Sequence, residues 1–462
     1  MSLFVKDKNF YKSVLAIAIP IAVQNMISSA VGMLDTIMLG QLGEVAMSAS
    51  SLANQIGFIF MMINYGLTGG AGVLTSQYWG RRDAASIRKV MSLTLRISMG
   101  FAAIFAVGAA FFPGLLMRIY TNDEAIIAEG IRYLHYCGPI YLANSFAITA
   151  VSILRTVGEV KIALYSTIAS LSVNVVFNYL LIFGKFGFPQ MGVAGAALAT
   201  LIARLVELVI VGVYLFKMDK KIGVRFKDFF TKVGMHITRR FVKYGAPVLC
   251  NEFFWSIGSS TRSIVLGHMG AEAVAANSIC DIVFQMASFF LWGFSNAASV
   301  ITGNTIGAGE IKKAKDQAKT FFAISLMLGL FSSVMILSIR GVMIDFYNVS
   351  GTTKAMAYSI LNAMCVTCVF QAMGNVNMFG TLRGGGDSRY VLICDVGAMW
   401  CLSVPLGFLS GLILKWPVWA VYICLTSSSL FTCCAGLVRL AGGKWAKDVT
   451  REKDAVLAEN EG

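Results

Sequence analysis

The chain has 462 residues, of which 57% are apolar and 13% charged, with a mean hydropathy of +0.71. No single soluble core can hide that much apolar sequence, so the solvent is lipid and a soluble globular fold is excluded. The formal charge of +14 points to nucleic acid only until the cations are located; they fall in alternate loops between apolar stretches, so a nucleic-acid partner is not expected.

Stretches of the roughly 20 residues that cross a bilayer are expected near 13–38, 47–77, 91–113, 126–153, 160–184, 192–216, 244–266, 272–303, 317–342, 355–380, 390–413 and 418–440. The opening MSLFVKDKNFYKSVLAIAIP runs into the first of these with no small-residue cleavage pattern, so the first helix is expected to be retained. That span carries Asn25, Ser28, Ser29, Gly32, Asp35 and Thr36 on one stripe at three-to-four spacing. The fifth carries Thr167, Ser170, Asn174 and Asn178, and on the sixth Arg204 and Glu207 stand three apart and are read as neutralising each other. A basic segment, 217–243, follows. The seventh span holds Asn251, Glu252, Ser256, Ser259 and Arg262, and the eighth Asn277, Asp281, Gln285, Ser288, Ser295 and Ser299. Cys365 and Cys368 lie within the tenth, where a second ligand pair is missing, so they and the other eight cysteines read as small apolar filler. Asp395, near the end of the eleventh span, reads as interfacial.

One set of loops holds Lys6, Lys8 and Lys12, then Arg81, Arg82, Arg88 and Lys89, then Arg155 and Lys161, and later the 217–243 stretch, Lys312 to Lys319, Arg383, Arg389 and the tail from Lys444. The intervening loops hold little more than Arg118, Lys185, Lys354 and Lys415. The positive-inside rule then places both termini in the cytoplasm, which requires an even number of spans.

Shifted by 227 positions, the chain matches itself without gaps from Pro20/Pro247 to Asp83/Glu310, through Ser29/Ser256, Gly40/Gly267, Gly43/Gly270, Gly66/Gly293, Thr75/Thr302 and Gly80/Gly307. A second echo at 228 pairs LRTVGE (154–159) with LRGGGD (382–387). Each half has six spans, so both enter the membrane the same way up and are related by an axis along its normal, a parallel repeat with a cleft between lobes. The expected fold is an all-α polytopic membrane protein: an N-terminal lobe 1–216, a basic cytoplasmic linker 217–243, a C-terminal lobe 244–440 and a cytoplasmic tail 441–462.

Charge within the hydrocarbon is costly and marks a cavity or a partner. Glu252 and Asp281 each lie about nine residues from an end of their spans, near the midplane, and are expected to share one site. A carboxyl group there can carry a proton across or hold Na⁺. Asp35 has the same potential in the other lobe, with Na⁺ at Asp35, Asn174 and Asn178 as one option. At the offset of 227 Asp35 maps onto Arg262, which implies a cation site in one lobe only at that level; Asp281 is the acid Arg262 can reach. Asn25, Gln55, Glu252, Arg262 and Gln285 are the expected lining of a substrate cavity.

AIPIAVQN…DTIMLGQLG, GVAGAALATLIAR (192–204) and LRGGGDSR (382–389), in this order on a twelve-span repeated plan, resemble the multidrug and toxic compound extrusion (MATE) family over nearly the whole chain. The resemblance implies export of small cationic amphipathic molecules in exchange for H⁺ or Na⁺ by a V-shaped pair of rocking lobes, with no cofactor beyond the coupling ion. It further implies a bacterial inner-membrane protein acting as a monomer. It assigns cation coupling to Asp35, to Asn174 and Asn178 with Thr200 nearby, and to Glu252, with a weaker match at Asp281. The family often has Asp where this chain has Asn178, which favours the proton over Na⁺. A lipid or lipid-linked oligosaccharide flippase of the same superfamily is the alternative. An enzyme is not expected, since HExxH is absent and His135, His236 and His268 are dispersed.

Overall fold

In the computed structural model, which describes residues 4–347 and 349–451, helix follows helix and no strand occurs among the described residues. The first half runs α1 (Lys8–Gly40), α2 (Glu44–Gly80), α3 (Ala84–Phe111), a short α4 (Pro113–Arg118), α5 (Glu124–Thr156), α6 (Lys161–Phe183) and α7 (Val193–Val213), which a π turn prolongs through Tyr214–Met218. A 3₁₀ turn at Phe226–Phe230 leads to α8 (Met235–His268), α9 (Ala271–Gly307), α10 (Ile311–Phe346) and α11 (Gly351–Asn375), which continues as Val376–Leu382. The last elements are α12 (Ser388–Ala398), α13 (Val404–Phe408), α14 (Val418–Leu425) and α15 (Ser428–Gly442). π turns join α12 and α13 into one run, Ser388–Ile413, and α14 and α15 make another, Val418–Gly442.

Among the described residues eleven helical runs are long and apolar enough to cross a membrane. The twelfth long helix is α8, 34 residues or about 50 Å at 1.5 Å per residue. It falls short on composition, not length, because it carries Asn251, Glu252, Ser256, Ser259 and Arg262. It also begins at Met235, so residues 235–243 of the expected linker are its first turns.

Local chemistry sets several of the boundaries. The Asp123 carboxylate accepts from the Ala125 and Ile126 N–H groups and starts α5, and the Ser350 hydroxyl accepts from the Thr353 N–H and starts α11. Both satisfy N–H groups that have no partner within the helix. Gly184 closes α6 in the left-handed conformation.

The chain forms two compact units that cut across the sequence halves. One takes residues up to Ala22, Gly72–Asp83 and Val242 onward; the other takes Val23–Ala71 and Ala84–Phe241. The start of α1 and the end of α2 therefore count with the second half. The core of the Val23–Phe241 unit joins Leu39, Phe60, Tyr133, Leu134, Tyr141 and Ile182. That of the other unit joins Val265, Ile279, Ile336, Met364 and Tyr422. Beyond Gly442 the chain does not hang free: Trp445 and Val449 are fully buried. The remainder of the expected tail, 452–462, lies outside the described residues.

Within the first of these units the ends of α2 and α9 meet backbone to backbone. A Cβ on Gly80 would stand 2.1 Å from the Asn304 carbonyl oxygen, and one on Gly307 2.0 Å from that of Gln77. Adding 227 to Gly80 gives Gly307, and adding it to Gln77 gives Asn304, so the contact is reciprocal, as a two-fold relation requires. Gly307→Ala is expected to destabilise the protein by about 1–3 kcal/mol through forced separation of these backbones. Gly32→Ala, whose new Cβ meets nothing within 4 Å, should leave the melting temperature in detergent unchanged or raised. Equal melting of the two variants would contradict the close crossing.

Candidate functional site

The polar stripe of α6 faces protein, not lipid: Thr167, Ser170, Asn174 and Asn178 are all buried. Each reaches a neighbouring helix. Thr167 accepts from Gln24 Nε2 of α1 at 2.7 Å, and Ser170 donates to the Ala203 carbonyl of α7 at 2.9 Å. Asn174 Nδ2 donates to Thr200 Oγ1 of α7 at 3.3 Å, and Asn178 Nδ2 donates to Asp35 Oδ1 of α1 at 2.5 Å and to Asn174 Oδ1 at 3.2 Å. Asp35, Asn178, Asn174 and Thr200 thus form one chain of hydrogen bonds across three helices. Asn178 Oδ1 is buried in it and accepts from none of the described residues, a group that costs free energy until something donates to it or a cation binds it.

An ion pair and a charged hydrogen bond flank this chain. Arg204 Nη1 and Glu207 Oε2 lie 2.5 Å apart on α7, the neutralisation expected from their spacing. Arg155, at the end of α5, donates to Gln24. Tyr133 donates to Asn54 Oδ1 at 3.1 Å. Of the expected cavity residues, Asn25 is half-buried and Gln55 exposed, and both belong to the Val23–Phe241 unit.

The other unit holds Glu252, Arg262, Asp281 and Gln285, and here the arrangement differs from the expected one. Glu252 lies at the middle of α8 and pairs with Arg383 Nη1 at 3.0 Å. Asp281 Oδ2 accepts from Asn277 Nδ2 at 2.8 Å, and Asp281 Oδ1 stands 3.8 Å from Arg262 Nη2. Glu252 and Arg262 are ten residues apart on one helix, about 15 Å, so the two acids answer to different cations and do not share a site. Asp395, eighth residue of α12, accepts at 3.1 Å from Nδ2 of Asn251 of α8, next to Glu252 in the chain. Gln285 is exposed.

Charge and hydropathy alone mark Arg155 and Arg383 as loop cations and leave Gln24 unmarked. Both arginines occupy the same place in the LRTVGE and LRGGGD echo, and each bonds the first long helix of its half: Arg155 to Gln24 of α1, Arg383 to Glu252 of α8. That echo was the available signal. Among the described residues no cluster of three or more His, Cys, Asp or Glu side chains stands where a metal ion could be held.

The MatE family profile matches residues 20–180 and 247–409, two stretches whose starts are 227 apart, the offset of the repeat. The chain is 25% identical over 421 residues to the uncharacterized transporter YisQ of Bacillus subtilis (strain 168), with 90% of each chain covered. It is 25% identical over 415 residues to the multidrug resistance protein MdtK of Yersinia enterocolitica, covering 87% of this chain and 88% of that one. It is 24% identical over 449 residues to the probable multidrug resistance protein NorM of Thermotoga maritima, covering 96% and 95%. An outward-facing multidrug resistance MATE family transporter superposes with a TM-score of 0.85 at 19% identity, covering 94% of this chain and 96% of that one. A transporter of the MOP superfamily from Pyrococcus furiosus gives 0.84 at 19% identity with the same coverage. These structures share the all-helical two-lobe fold.

Proposed function

The chain belongs to the MatE family of transporters, the multidrug and toxic compound extrusion proteins, and from that premise we propose that it is an antiporter exporting small cationic amphipathic organic molecules in exchange for protons. The relatives named as multidrug resistance proteins, MdtK and NorM, support drug export. The observation that carries the coupling reading is the hydrogen-bonded chain Asp35–Asn178–Asn174–Thr200, which contains a single carboxylate, half-buried beside two buried amides.

As it stands, the Asn178 amide donates to Asp35, an arrangement suited to a carboxylate. A proton on Asp35 makes that oxygen a donor and removes the reason for the N–H to point there; rotation of the amide then offers the unpartnered Oδ1 to the new O–H. Protonation at α1 thereby rewires α6, and through Asn174 the contact with α7. Na⁺ would draw on Asp35, the Asn174 and Asn178 oxygens and Thr200, hard oxygen donors with only one formal charge among them. Rocking of the two lobes exposes the site to alternate sides, in a bacterial inner membrane with both termini in the cytoplasm.

The test is dye efflux from everted vesicles under a pH gradient alone or a Na⁺ gradient alone. Efflux driven by pH alone is expected; efflux that runs only on Na⁺ would transfer the coupling role to a bound cation. Arg262, standing where the repeat places the counterpart of Asp35, is proposed to keep a second cation out of the other lobe. Arg262→Ala should then raise the number of cations exchanged per dye molecule, read from the dependence of steady-state accumulation on the gradient. An unchanged ratio and rate would end that idea.

A further inference from the structure

Residues 443–451 are built into the unit that contains α8 to α15. Trp445 sits in an apolar cluster with Ile306, Met378, Leu382 and Val391. Lys447 Nζ reaches Asp387 Oδ1 at 2.5 Å, and the Lys447 N–H donates to the Gly385 carbonyl at 2.9 Å. The segment's remaining partners lie at the end of α2. Gln77, fully buried, donates through Nε2 to the carbonyl oxygens of Lys447 (3.1 Å) and Gly384 (3.3 Å) and accepts at Oε1 from the Val449 N–H (2.9 Å). Arg81 Nη1 donates to the Thr450 carbonyl at 2.9 Å.

The repeat separates what is common to both halves from what is peculiar to this end. Glu159, the counterpart of Asp387, holds Lys221 at 2.7 Å just as Asp387 holds Lys447. Each half therefore closes with a basic segment tied to its own acid. Among the described residues only the second continues onto α2. Asn304, the counterpart of Gln77, has instead a buried Oδ1 with no partner among the described residues.

The helix so held is one that both compact units share. Its residues through Ala71 count with one unit and those from Gly72 with the other. The change falls within Gly69-Gly70-Ala71-Gly72, where three glycines weaken the helix relative to alanine and leave its backbone freer to bend.

We propose that residues 443–451 are a latch on α2, holding the part after Gly72 through Gln77 and Arg81, and that each transport cycle releases the latch as α2 flexes at Gly69–Gly72. The cycle itself rests on the export reading. The latch has its own readout.

In a chain whose exposed Cys250, Cys401 and Cys434 are replaced by serine, the pairs Gln77→Cys with Val449→Cys and, separately, Arg81→Cys with Thr450→Cys are joined by a short bis-thiosulfonate linker in proteoliposomes. Dye efflux is expected to be lost on linking and regained on reduction. Linked chains, verified by mass spectrometry, that export at the unlinked rate overturn the latch. Should neither pair fold, hydrogen–deuterium exchange of the unaltered chain decides. The amides of 77–81 and 447–450 should exchange faster together under an imposed pH or Na⁺ gradient than without one, and unchanged protection in both segments overturns the proposal. A parent chain without efflux counts against the export reading, whereas a parent that exports regardless of the linker counts only against the latch.

Discussion

Asp35→Asn is expected to abolish dye efflux driven by a pH gradient while the protein folds and still binds dye. The substitution keeps the shape of the side chain and its bond to Asn178, because a carboxamide oxygen accepts from Nδ2 as a carboxylate does. Only the exchangeable proton is lost. Stability should therefore change by no more than about 1 kcal/mol, the net worth of one hydrogen bond. Dye binding measured by fluorescence anisotropy should survive, separating loss of coupling from loss of the site. Efflux that persists in Asp35→Asn removes this residue from the mechanism and leaves Glu252 as the remaining carboxylate at the middle of a long helix with a direct arginine partner.

The second large effect is expected at that pair. The Arg383 and Glu252 side chains are 12% and 22% exposed, so each is substantially desolvated and depends on the other. Arg383→Met leaves the Glu252 charge without compensation and should cost about 3–5 kcal/mol. Adding Glu252→Gln removes the stranded charge and should recover most of that loss, so the double-mutant cycle reports a coupling well above that of independent sites. Thermal melting in detergent reads both. If Arg383→Met melts with the parent, Glu252 is solvated and the pair contributes nothing. The cycle also distinguishes the positions: Arg262 and Asp281, 3.8 Å apart and 34% and 44% exposed, should show far weaker coupling, because solvent screens them.

Much of the architecture was legible in the chain itself. Span number, the two-fold repeat and the stripes on α1, α6 and α8 follow from hydropathy and from three-to-four spacing, which are local properties that a helix expresses wherever it is placed. The Arg204 and Glu207 pair belongs here too, since residues three apart on one helix meet without help from another element. The stripe on α6 was readable as a stripe, and its four members do turn inward together.

Which partner each polar group takes was decided by packing. Glu252 and Asp281 look equivalent by depth alone, but Arg383 comes from 131 positions away to meet one, and Arg262, nearer the α9 end of the same helix, meets the other. The same holds for residues 443–451, which composition marks as part of a basic tail and which Gln77 of α2, 370 positions before Lys447, helps to hold. The sequence by itself determined twelve long helices, their repetition and the faces their polar residues share, because period and hydropathy act within about one helical turn of each residue. Only the tertiary structure decided that Asp35 answers to Asn178, Glu252 to Arg383 and the tail to α2, because those choices depend on which helices become neighbours and how each is rotated about its axis.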